Sequence, residues 1–400
     1  LINLLLLNDK RTIMKNIFNN GLLIDEETFK KKTIGYISYI KGETSNKFPE
    51  KIISIENKYI DEELNDLSLY ECKMSNTQSE YYYKIYEKIK NKRKIHVDSI
   101  LKQISNIVYP SKSTNIKSYY GENGLKEIFT IADNKYKYKN VEKIFKLDNL
   151  KKYSAKIYNI IKKIEKSEGI IFIYSQYIKS GILPLILALE QNGYSNYSNN
   201  NILDDDDIRY NGKKYISITS ENYLSKNNEN ELKELVKDNL NGEKIKIVLG
   251  SNVASEGLDL KNIREIYILD PWYNLKKVQQ IIGRGIRYCS HENLPIEKRN
   301  VTVYLYVSTT EKKEDIDIEI YKLANKKNKQ IINIEEKLQK NAIDYELFKE
   351  INYNEKKKAY TINKNTLKHN TLKNLYDIYE NKIINMFKNK INIDINEIKN

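Results

Sequence analysis

The alternation of apolar and polar residues changes its period along the chain and divides it into three regions. Between residues 151 and 310, short apolar runs alternate with amphipathic segments of helix length, which is the pattern of a parallel sheet with crossover helices. The predicted strands occupy 170–174, 214–219, 245–249, 264–269 and 301–307. The predicted helices between them occupy 181–192, 228–239 and 276–287. Region 151–310 is therefore expected to form an α/β domain in which helices flank a parallel sheet.

The regions on either side, 1–150 and 311–400, predict mostly helical extensions. Apolar spacing indicates helical structure over residues 1–34, strand-like alternation over 34–40 and a further helix over 79–89. The segment SYYGENGLKE at 118–127 has the polar, glycine-containing composition of a loop. After residue 311 the pattern becomes helical and basic.

The segment 195–213 interrupts the α/β rhythm with an asparagine run and four consecutive aspartates, Asp204 to Asp207. Two cysteines and three histidines cannot supply a Cys/His zinc site, and a disulfide framework is equally implausible. We therefore expect this segment to be a surface insertion, predict no metal site, and place the protein in a reducing compartment.

Charge favours a polyanionic partner. Lys and Arg total 68 against 54 Asp and Glu, a net charge of +14, which suits nucleic acid but is also expected from a coding bias towards Lys, Asn and Ile. The apolar run Leu4 to Leu7 is too short to span a membrane, so no membrane partner is predicted. At 400 residues the chain is long enough for two or three domains.

The first segment with chemical character is IVLGSNVASEGLDL, where a predicted strand ends in small and flexible residues. Ligands of open α/β sheets bind outside the carboxyl ends of strands. Ser251 and Asn252 could contact a nucleic-acid phosphate, Gly257 would allow a ligand to approach closely, and Asp259 could accept a hydrogen bond from a ribose hydroxyl. A glycine-containing turn with a helix cap is the alternative.

The second segment, VQQIIGRGIR, has the form QxxGRxxR. Spacing on a helix would place Arg284 and Arg287 on one face, with Gln280 one turn earlier. Two guanidinium groups that point the same way repel each other unless an anion such as a triphosphate lies between them. The alternative is an amphipathic helix whose arginines pair with nearby acids.

Together these segments resemble the C-terminal part of a superfamily 2 helicase, with a RecA-like second lobe. More narrowly, the chain is similar to the SNF2-like ATPases of large nucleocytoplasmic DNA viruses, which include the small subunit of the poxvirus early transcription factor and nucleoside triphosphatase I. Five further segments carry the resemblance across about residues 1–350: IGYISYIKGE with Phe48–Pro49, MSNTQ, SNIVYP, the motif IV region IFIYSQYIKSGILPLILALEQNGY, and DIEIYKLANKK.

The resemblance implies a role for each matching residue. Motif V would comprise Ser251, Ser255, Gly257 and Asp259, which contact nucleic acid and nucleotide. Motif VI would comprise Gln280, Gly283, Arg284 and Arg287, with Arg287 as the arginine finger and Arg284 also facing the phosphates. Tyr174, Ser175 and Gln176 would end the motif IV strand, either contacting a backbone phosphate or merely packing. Trp272, in DPWYN, is expected to pack rather than bind nucleic acid.

The chain departs from that family in one important respect. No GxxxxGK[ST] phosphate loop occurs in the 400 residues, and the acidic clusters at Asp25 and Asp61 do not follow hydrophobic strands, so both are expected to be helix starts. ATP with Mg²⁺ would then be held mainly by an absent first lobe, and the chain alone is predicted to be inactive.

The expected partners are nucleic acid, more so duplex DNA, the first lobe, and a viral RNA polymerase or transcription factor subunit. The expected locations are the virion and the host cytoplasm. A non-catalytic nucleic-acid-binding or polymerase-recruiting subunit, and a nonfunctional gene fragment, remain alternatives.

Overall fold

A computed structural model describes residues 17–19, 21–39, 47–226, 228–255, 259–311 and 315–347, without the side chains of 254 and 255. These residues belong to two compact units. The larger lies within Ser45–Asn328, and the smaller within Leu1–Thr44 and Lys329–Asn400. In the described part of the chain, no helix is long and apolar enough to cross a membrane.

The elements are numbered along the chain. The strands are β1 (Phe18–Asn19), β2 (Leu22–Leu23), β3 (Glu50–Ile53), β4 (Leu69–Lys73), β5 (Phe129–Ala132), β6 (Lys135–Tyr138), β7 (Ile170–Tyr174), β8 (Ser195–Asn196), β9 (Leu203–Asp204), β10 (Lys214–Ile218), β11 (Ile247–Gly250), β12 (Ile263–Ile268) and β13 (Asn300–Thr309). The α-helices are α1 (Glu26–Thr33), α2 (Asn76–Ile89), α3 (Lys94–Asn106), α4 (Gly121–Ile128), α5 (Leu147–Tyr153), α6 (Ala155–Lys166), α7 (Leu183–Gln191), α8 (Asn228–Val236), α9 (Leu275–Ile282) and α10 (Ile316–Lys340).

One central sheet organises the larger unit. Its strand order is β3-β13-β12-β7-β11-β10-β8, with β4 also paired to β13, and all of these pairings are parallel. The five predicted strands are β7, β10, β11, β12 and β13. Every residue of β7 and β11 is buried, as expected for strands covered by helices on both faces.

Two apolar clusters cover the two faces of this sheet. Ile104 of α3, Ile157 of α6 and Leu185 of α7 belong to the first cluster. Val278 of α9 and Ile318 of α10 belong to the second. Burial of apolar surface contributes about 25 cal/mol per Å² to folding, so these two clusters are the main source of the unit's stability. The observed fold confirms the predicted class, a RecA-like α/β lobe with a parallel sheet between helices.

The sheet also recruits residues from before position 151. Both β3 and β4 pair with β13, which is longer than the predicted strand and has room for one after the other. The predicted loop at 118–127 is wrong, because α4 occupies most of it. An added Cβ at Gly124 would lie 2.3 Å from the Tyr109 ring, so this glycine permits close helix packing rather than a turn.

The predictions for residues 1–40 are confirmed only in part, by the helix α1 at Glu26–Thr33. Before that helix, Phe18–Asn19 and Leu22–Leu23 pair as the antiparallel strands β1 and β2 rather than continuing a helix, and Gly21 has φ +79°. No strand covers 34–39; instead α1 ends at Thr33, and the Tyr39 N–H donates to Asp344 Oδ1 at 3.0 Å. Residues 1–16 and 348–400 lie outside the described residues.

The segment 195–213 is tied into the larger unit rather than simply inserted on its surface. β8 extends the main sheet, and β9 pairs with β6. The buried Glu190 carboxylate accepts the Leu203 N–H at 2.6 Å. The Asp205 and Asp207 carboxylates bind the Lys143 ammonium group.

Candidate functional site

The carboxyl end of the sheet brings together five of the predicted site residues: Tyr174, Ser175, Gln176, Ser251 and Asn252. β7 and β11 are neighbours in parallel register, with Tyr174 opposite Gly250, so the residues that follow the two strands meet at the same edge. The Tyr174 hydroxyl donates to Asn252 Oδ1 at 2.6 Å. Asn252 begins a short 3₁₀ helix, Asn252–Ser255.

Burial separates these five residues into two kinds. Tyr174, Ser175 and Ser251 are buried, which leaves their side chains no surface for direct contact with nucleic acid. This burial favours the packing alternative for Tyr174 and Ser175, and it argues against a phosphate contact by the Ser251 hydroxyl. Asn252 is exposed and Gln176 is half-buried, so both side chains present polar groups at this edge.

Asp270 is the polar centre of this edge, although sequence reasoning gave it no role. Its Oδ2 accepts from the Ser175 hydroxyl at 2.6 Å and from the Gln176 N–H at 2.7 Å, and its Oδ1 accepts from the Asn106 side chain. A buried carboxylate is stable only when it is well hydrogen-bonded. Asp270 thereby fixes the backbone that follows β7.

A buried ion pair lies directly behind Asp270. The ammonium group of Lys156 lies 2.6 Å from Asp317 Oδ2 and also donates to Asn106 Oδ1 at 3.1 Å and to the Leu269 carbonyl at 2.8 Å. Neither charged side chain is exposed to solvent. Burial raises the pKa of Asp317, and the adjacent ammonium group opposes that rise. Removal of either side chain would leave the other as a buried charge without its partner, which is strongly destabilising.

The signature segments of the resemblance converge on this network. Gln78 of MSNTQ donates to the Ile104 and Ser105 carbonyls at 3.2 and 3.3 Å and accepts the Ala155 N–H at 2.9 Å. Asn106 belongs to SNIVYP and Asp317 to DIEIY. Segments far apart in sequence thus share one buried set of hydrogen bonds that supports the carboxyl edge.

The predicted helix 276–287 ends early, at Ile282. Arg284 and Arg287 therefore lie in the turn and coil after α9 and not on one helical face, which corrects the spacing argument. Gly283 caps α9, and Gly285 packs so closely that an added Cβ would lie 3.0 Å from Ile266 Cδ1. The missing Cβ of Gly285 allows the chain after α9 to lie close against β12.

The segment after α9, which carries Arg284 and Arg287, lies at the amino end of β12. The Leu260 N–H donates to the Arg284 carbonyl at 3.2 Å, and the Asn262 N–H donates to the Ser290 carbonyl at 3.0 Å. The exposed Gln280, in the last turn of α9, and the half-buried Gly283 approach the same end. Arg284 is also half-buried.

Arg287 and Asp259 come together at this amino end. Nη1 of Arg287 lies 3.7 Å from Oδ1 of Asp259, and the two side chains are 48% and 52% exposed. A pair this exposed is worth about 0–1 kcal/mol, so an approaching anion can compete for the guanidinium group. We call Asp259, Arg284 and Arg287 the arginine corner.

The arginine corner and the residues around Asn252 lie at opposite ends of the strands. A six-residue strand such as β12 spans about 20 Å at roughly 3.3 Å per residue. Of the remaining predicted residues, Gly257 and the side chain of Ser255 lie outside the described part of the chain. Trp272 packs against the second apolar cluster, as expected.

The acidic clusters are helix starts, as predicted. The Asp25 carboxylate accepts the Thr28 N–H at the start of α1, and the Asp61 carboxylate accepts the Glu63 N–H at a 3₁₀ helix, each at 2.9 Å. In the ranges that the structure covers, no three His, Cys, Asp or Glu side chains are grouped so that they could hold a metal ion.

Comparison with known proteins identifies the larger unit. The model of the helicase conserved C-terminal domain matches residues 152–289. A provisionally named ATP-dependent RNA helicase of Acanthamoeba polyphaga mimivirus is 31% identical over 82% of this chain and 52% of its own length. The early transcription factor large subunit homolog of African swine fever virus is 27% identical over 78% of this chain and 32% of its length.

A shorter match is closer in sequence. Nucleoside triphosphatase I of Melanoplus sanguinipes entomopoxvirus is 45% identical over 95 residues, which are 24% of this chain and 14% of that protein. The chain thus spans about half, or less, of the length of these three relatives.

Proposed function

Because this chain is a superfamily 2 helicase C-terminal part, of the group found in large DNA viruses, we propose that it is the second lobe of an ATP-driven nucleic-acid translocase. The observation that carries this proposal is the arginine corner, in which the half-exposed Arg287 guanidinium group pairs with the exposed carboxylate of Asp259. Such a group is available to a ligand that brings more negative charge than Asp259 does.

The nucleotide would bind at the arginine corner. A triphosphate would draw Arg287 away from Asp259, because several phosphate oxygens outweigh one solvated carboxylate. Arg287 would then act as the arginine finger, with Arg284 also facing the phosphates. Asp259, once released, would accept a hydrogen bond from a ribose hydroxyl. ATP with Mg²⁺ supplies the phosphoryl group whose transfer drives movement, and these arginines would stabilise the charge that develops on it.

Nucleic acid would bind at the opposite end of the strands. Asn252 and Gln176 offer accessible amide groups there, and amide side chains commonly contact the sugar–phosphate backbone. The buried bonds of Asp270 and Tyr174 would hold that edge rigid, so that movement of the lobe moves the bound strand. Duplex DNA is the substrate we favour, with translocation rather than strand separation as the outcome.

Hydrolysis would need a first lobe that carries the phosphate loop, since none occurs in these 400 residues. Such a lobe would hold Mg²⁺, and closing of the two lobes on ATP would complete the site. One relative bears the name of an early transcription factor, and this favours a role in viral transcription. A viral RNA polymerase or transcription factor subunit would then be a partner, in the virion and the host cytoplasm. A polymerase-recruiting subunit without catalysis is the second candidate.

Two measurements test the proposal. The 400-residue chain alone should show no Mg²⁺-dependent ATP hydrolysis, and it should bind duplex DNA with an affinity that falls as salt rises. Addition of an ATP-binding lobe from a related viral helicase should produce DNA-stimulated hydrolysis. Turnover by the chain alone contradicts the need for a first lobe. DNA binding without any hydrolysis in the mixture supports the recruiting subunit.

A further inference from the structure

Two exposed aromatic rings lie beside the arginine corner. Phe48 is 42% exposed and Tyr288 is 56% exposed. Their ring centroids are 5.7 Å apart and their planes meet at 66°, an edge-to-face arrangement. The Lys47 ammonium group lies 5.3 Å from the centroid of the Tyr288 ring. The two rings are therefore in contact with each other and also accessible to a ligand.

The backbone holds both rings in place without help from a ligand. Phe48 precedes Pro49, which restricts Phe48 to extended conformations. The Cys289 N–H donates to the Lys47 carbonyl at 2.9 Å, which joins the two segments next to the rings. Cys289 has φ +58°, a left-handed conformation that turns the chain directly after Tyr288. A preformed surface of this kind loses little conformational entropy on binding.

We propose that Phe48 and Tyr288 form a stacking surface for the base of the nucleotide whose phosphates bind at the arginine corner. Nucleobases stack on aromatic side chains because every base has a flat π face, and larger purine rings offer more contact. Lys47, above the Tyr288 ring, adds positive charge beside the same nucleotide. This surface would give the second lobe a part in choosing the base, in addition to its part in the phosphate chemistry.

The position of the rings favours the base of the nucleotide, rather than a base of a bound nucleic-acid strand, as their ligand. Tyr288 follows Arg287 directly in the sequence, so the two side chains leave adjacent backbone positions at the amino end of β12. Asn252 and Gln176, the accessible groups of the proposed nucleic-acid edge, lie at the other end of the strands. A nucleic-acid strand bound at that edge would have to cross the length of the sheet to reach Phe48.

This inference rests on the proposed function in one respect, the binding of a triphosphate at Arg287. It is tested with ATP and the 400-residue chain by saturation-transfer NMR, which detects weak binding and reports which ligand protons touch protein. Saturation should be strongest on adenine H2 and H8, and weaker on the base protons of CTP. Phe48→Ala and Tyr288→Ala should each weaken ATP binding roughly 5- to 100-fold.

Conservative variants and a distant tyrosine provide the controls. Phe48→Tyr and Tyr288→Phe keep a ring and should retain the adenine signals. Tyr210→Ala, which removes a ring that is 48% exposed elsewhere, should leave them unchanged. Tripolyphosphate, which has no base, should bind the Phe48→Ala variant as well as the unaltered chain, but should bind Arg287→Ala more weakly.

The outcomes separate the two proposals. If adenine protons receive no more saturation than ribose protons, or if the alanine variants bind ATP normally, the stacking surface is refuted while the arginine corner stands. If neither ATP nor tripolyphosphate binding depends on Arg287, the nucleotide site itself is refuted. Loss of ATP binding in Tyr210→Ala would show that the effects are not local, which also overturns the inference.

Discussion

Arg287 and Asp259, the residues that sequence reasoning assigned to the phosphates and to the ribose of one nucleotide, contact each other at 3.7 Å. They arrive from different segments, one after α9 and one before β12, and backbone hydrogen bonds between those segments hold them together. The two side chains form an exposed ion pair. A nucleotide that binds Arg287 through its phosphates and Asp259 through its ribose would replace this exposed ion pair with two contacts between protein and ligand.

Asn252 provides a test of the nucleic-acid edge. Asn252→Ala removes an accessible amide and should weaken duplex DNA binding about 2- to 10-fold, the effect expected for one ordinary hydrogen bond. Tyr174→Phe removes only the hydroxyl that donates to Asn252 and should have a smaller effect. Fluorescence anisotropy at fixed salt measures both. Unchanged affinity in Asn252→Ala removes this residue from the interface.

Removal of one partner of the buried ion pair between Lys156 and Asp317 should strongly destabilise the fold. Lys156→Met leaves a buried carboxylate without its ammonium partner and should reduce the unfolding free energy by about 3–5 kcal/mol. The double variant Lys156→Met with Asp317→Leu removes both charges and should be more stable than Lys156→Met alone. Urea unfolding of the three proteins measures this. A double variant that is less stable than the single one contradicts the assignment.

Gly285 controls the path of the segment that carries both arginines. Gly285→Ala places a methyl group 3.0 Å from Ile266 Cδ1 and 3.3 Å from Ile263 Cβ, so these side chains or the segment must give by a few tenths of an ångström. The expected loss of stability is about 1–3 kcal/mol. The rate of DNA-stimulated ATP hydrolysis, measured with an added first lobe, should also decrease. The decrease should be larger than the lower fraction of folded protein can explain. Adding Ile266→Val, which removes Cδ1, should restore part of the activity; no recovery argues against the contact.

Glu190 should make stability depend on pH. Burial raises the pKa of this carboxyl group to about 7, above its ordinary value near 4.5. The folded state therefore binds a proton that the unfolded state has already released between about pH 4.5 and 7, and stability from this group falls as pH rises through that range. The loss should total roughly 3 kcal/mol and level off above pH 7.

Glu190→Gln cannot ionise and should remove this component of the pH dependence, whatever its effect on stability at a single pH. Urea unfolding at several pH values between 4.5 and 8 compares the two slopes. Parallel curves for the two proteins contradict the raised pKa.

The strands of the α/β core could be predicted from the sequence because each is an apolar run that helices bury on both faces. β7, for example, has the predicted bounds. β3 could not be predicted in this way, since all four of its residues are exposed and only pairing with β13 makes it a strand. The helix α4 was missed because Gly124, which resembles a loop residue, is required by contact with Tyr109.

The candidate site was predictable in composition and not in arrangement. The motif spacing identified Asp259 and Arg287 but gave no reason to expect that they meet, because this depends on where α9 ends. Burial of Tyr174, Ser175 and Ser251 also depends on tertiary packing, which no local pattern encodes. Asp270 would have been found by asking which acidic residue directly follows a buried strand.

The central claim is that Arg287 stabilises charge on the transferred phosphoryl group of a nucleotide held by another lobe. Its most direct test is the kcat of DNA-stimulated ATP hydrolysis by the chain with an added first lobe, compared between the unaltered protein, Arg287→Ala and Arg287→Lys. Arginine fingers are worth about 10³- to 10⁵-fold in kcat, so Arg287→Ala should lose about that factor while still binding duplex DNA. Arg287→Lys should remain severely impaired, since an ammonium group lacks the planar fork. A kcat for Arg287→Ala within about twofold of the unaltered protein would contradict the claim, since that ratio corresponds to only about 0.4 kcal/mol of transition-state stabilisation.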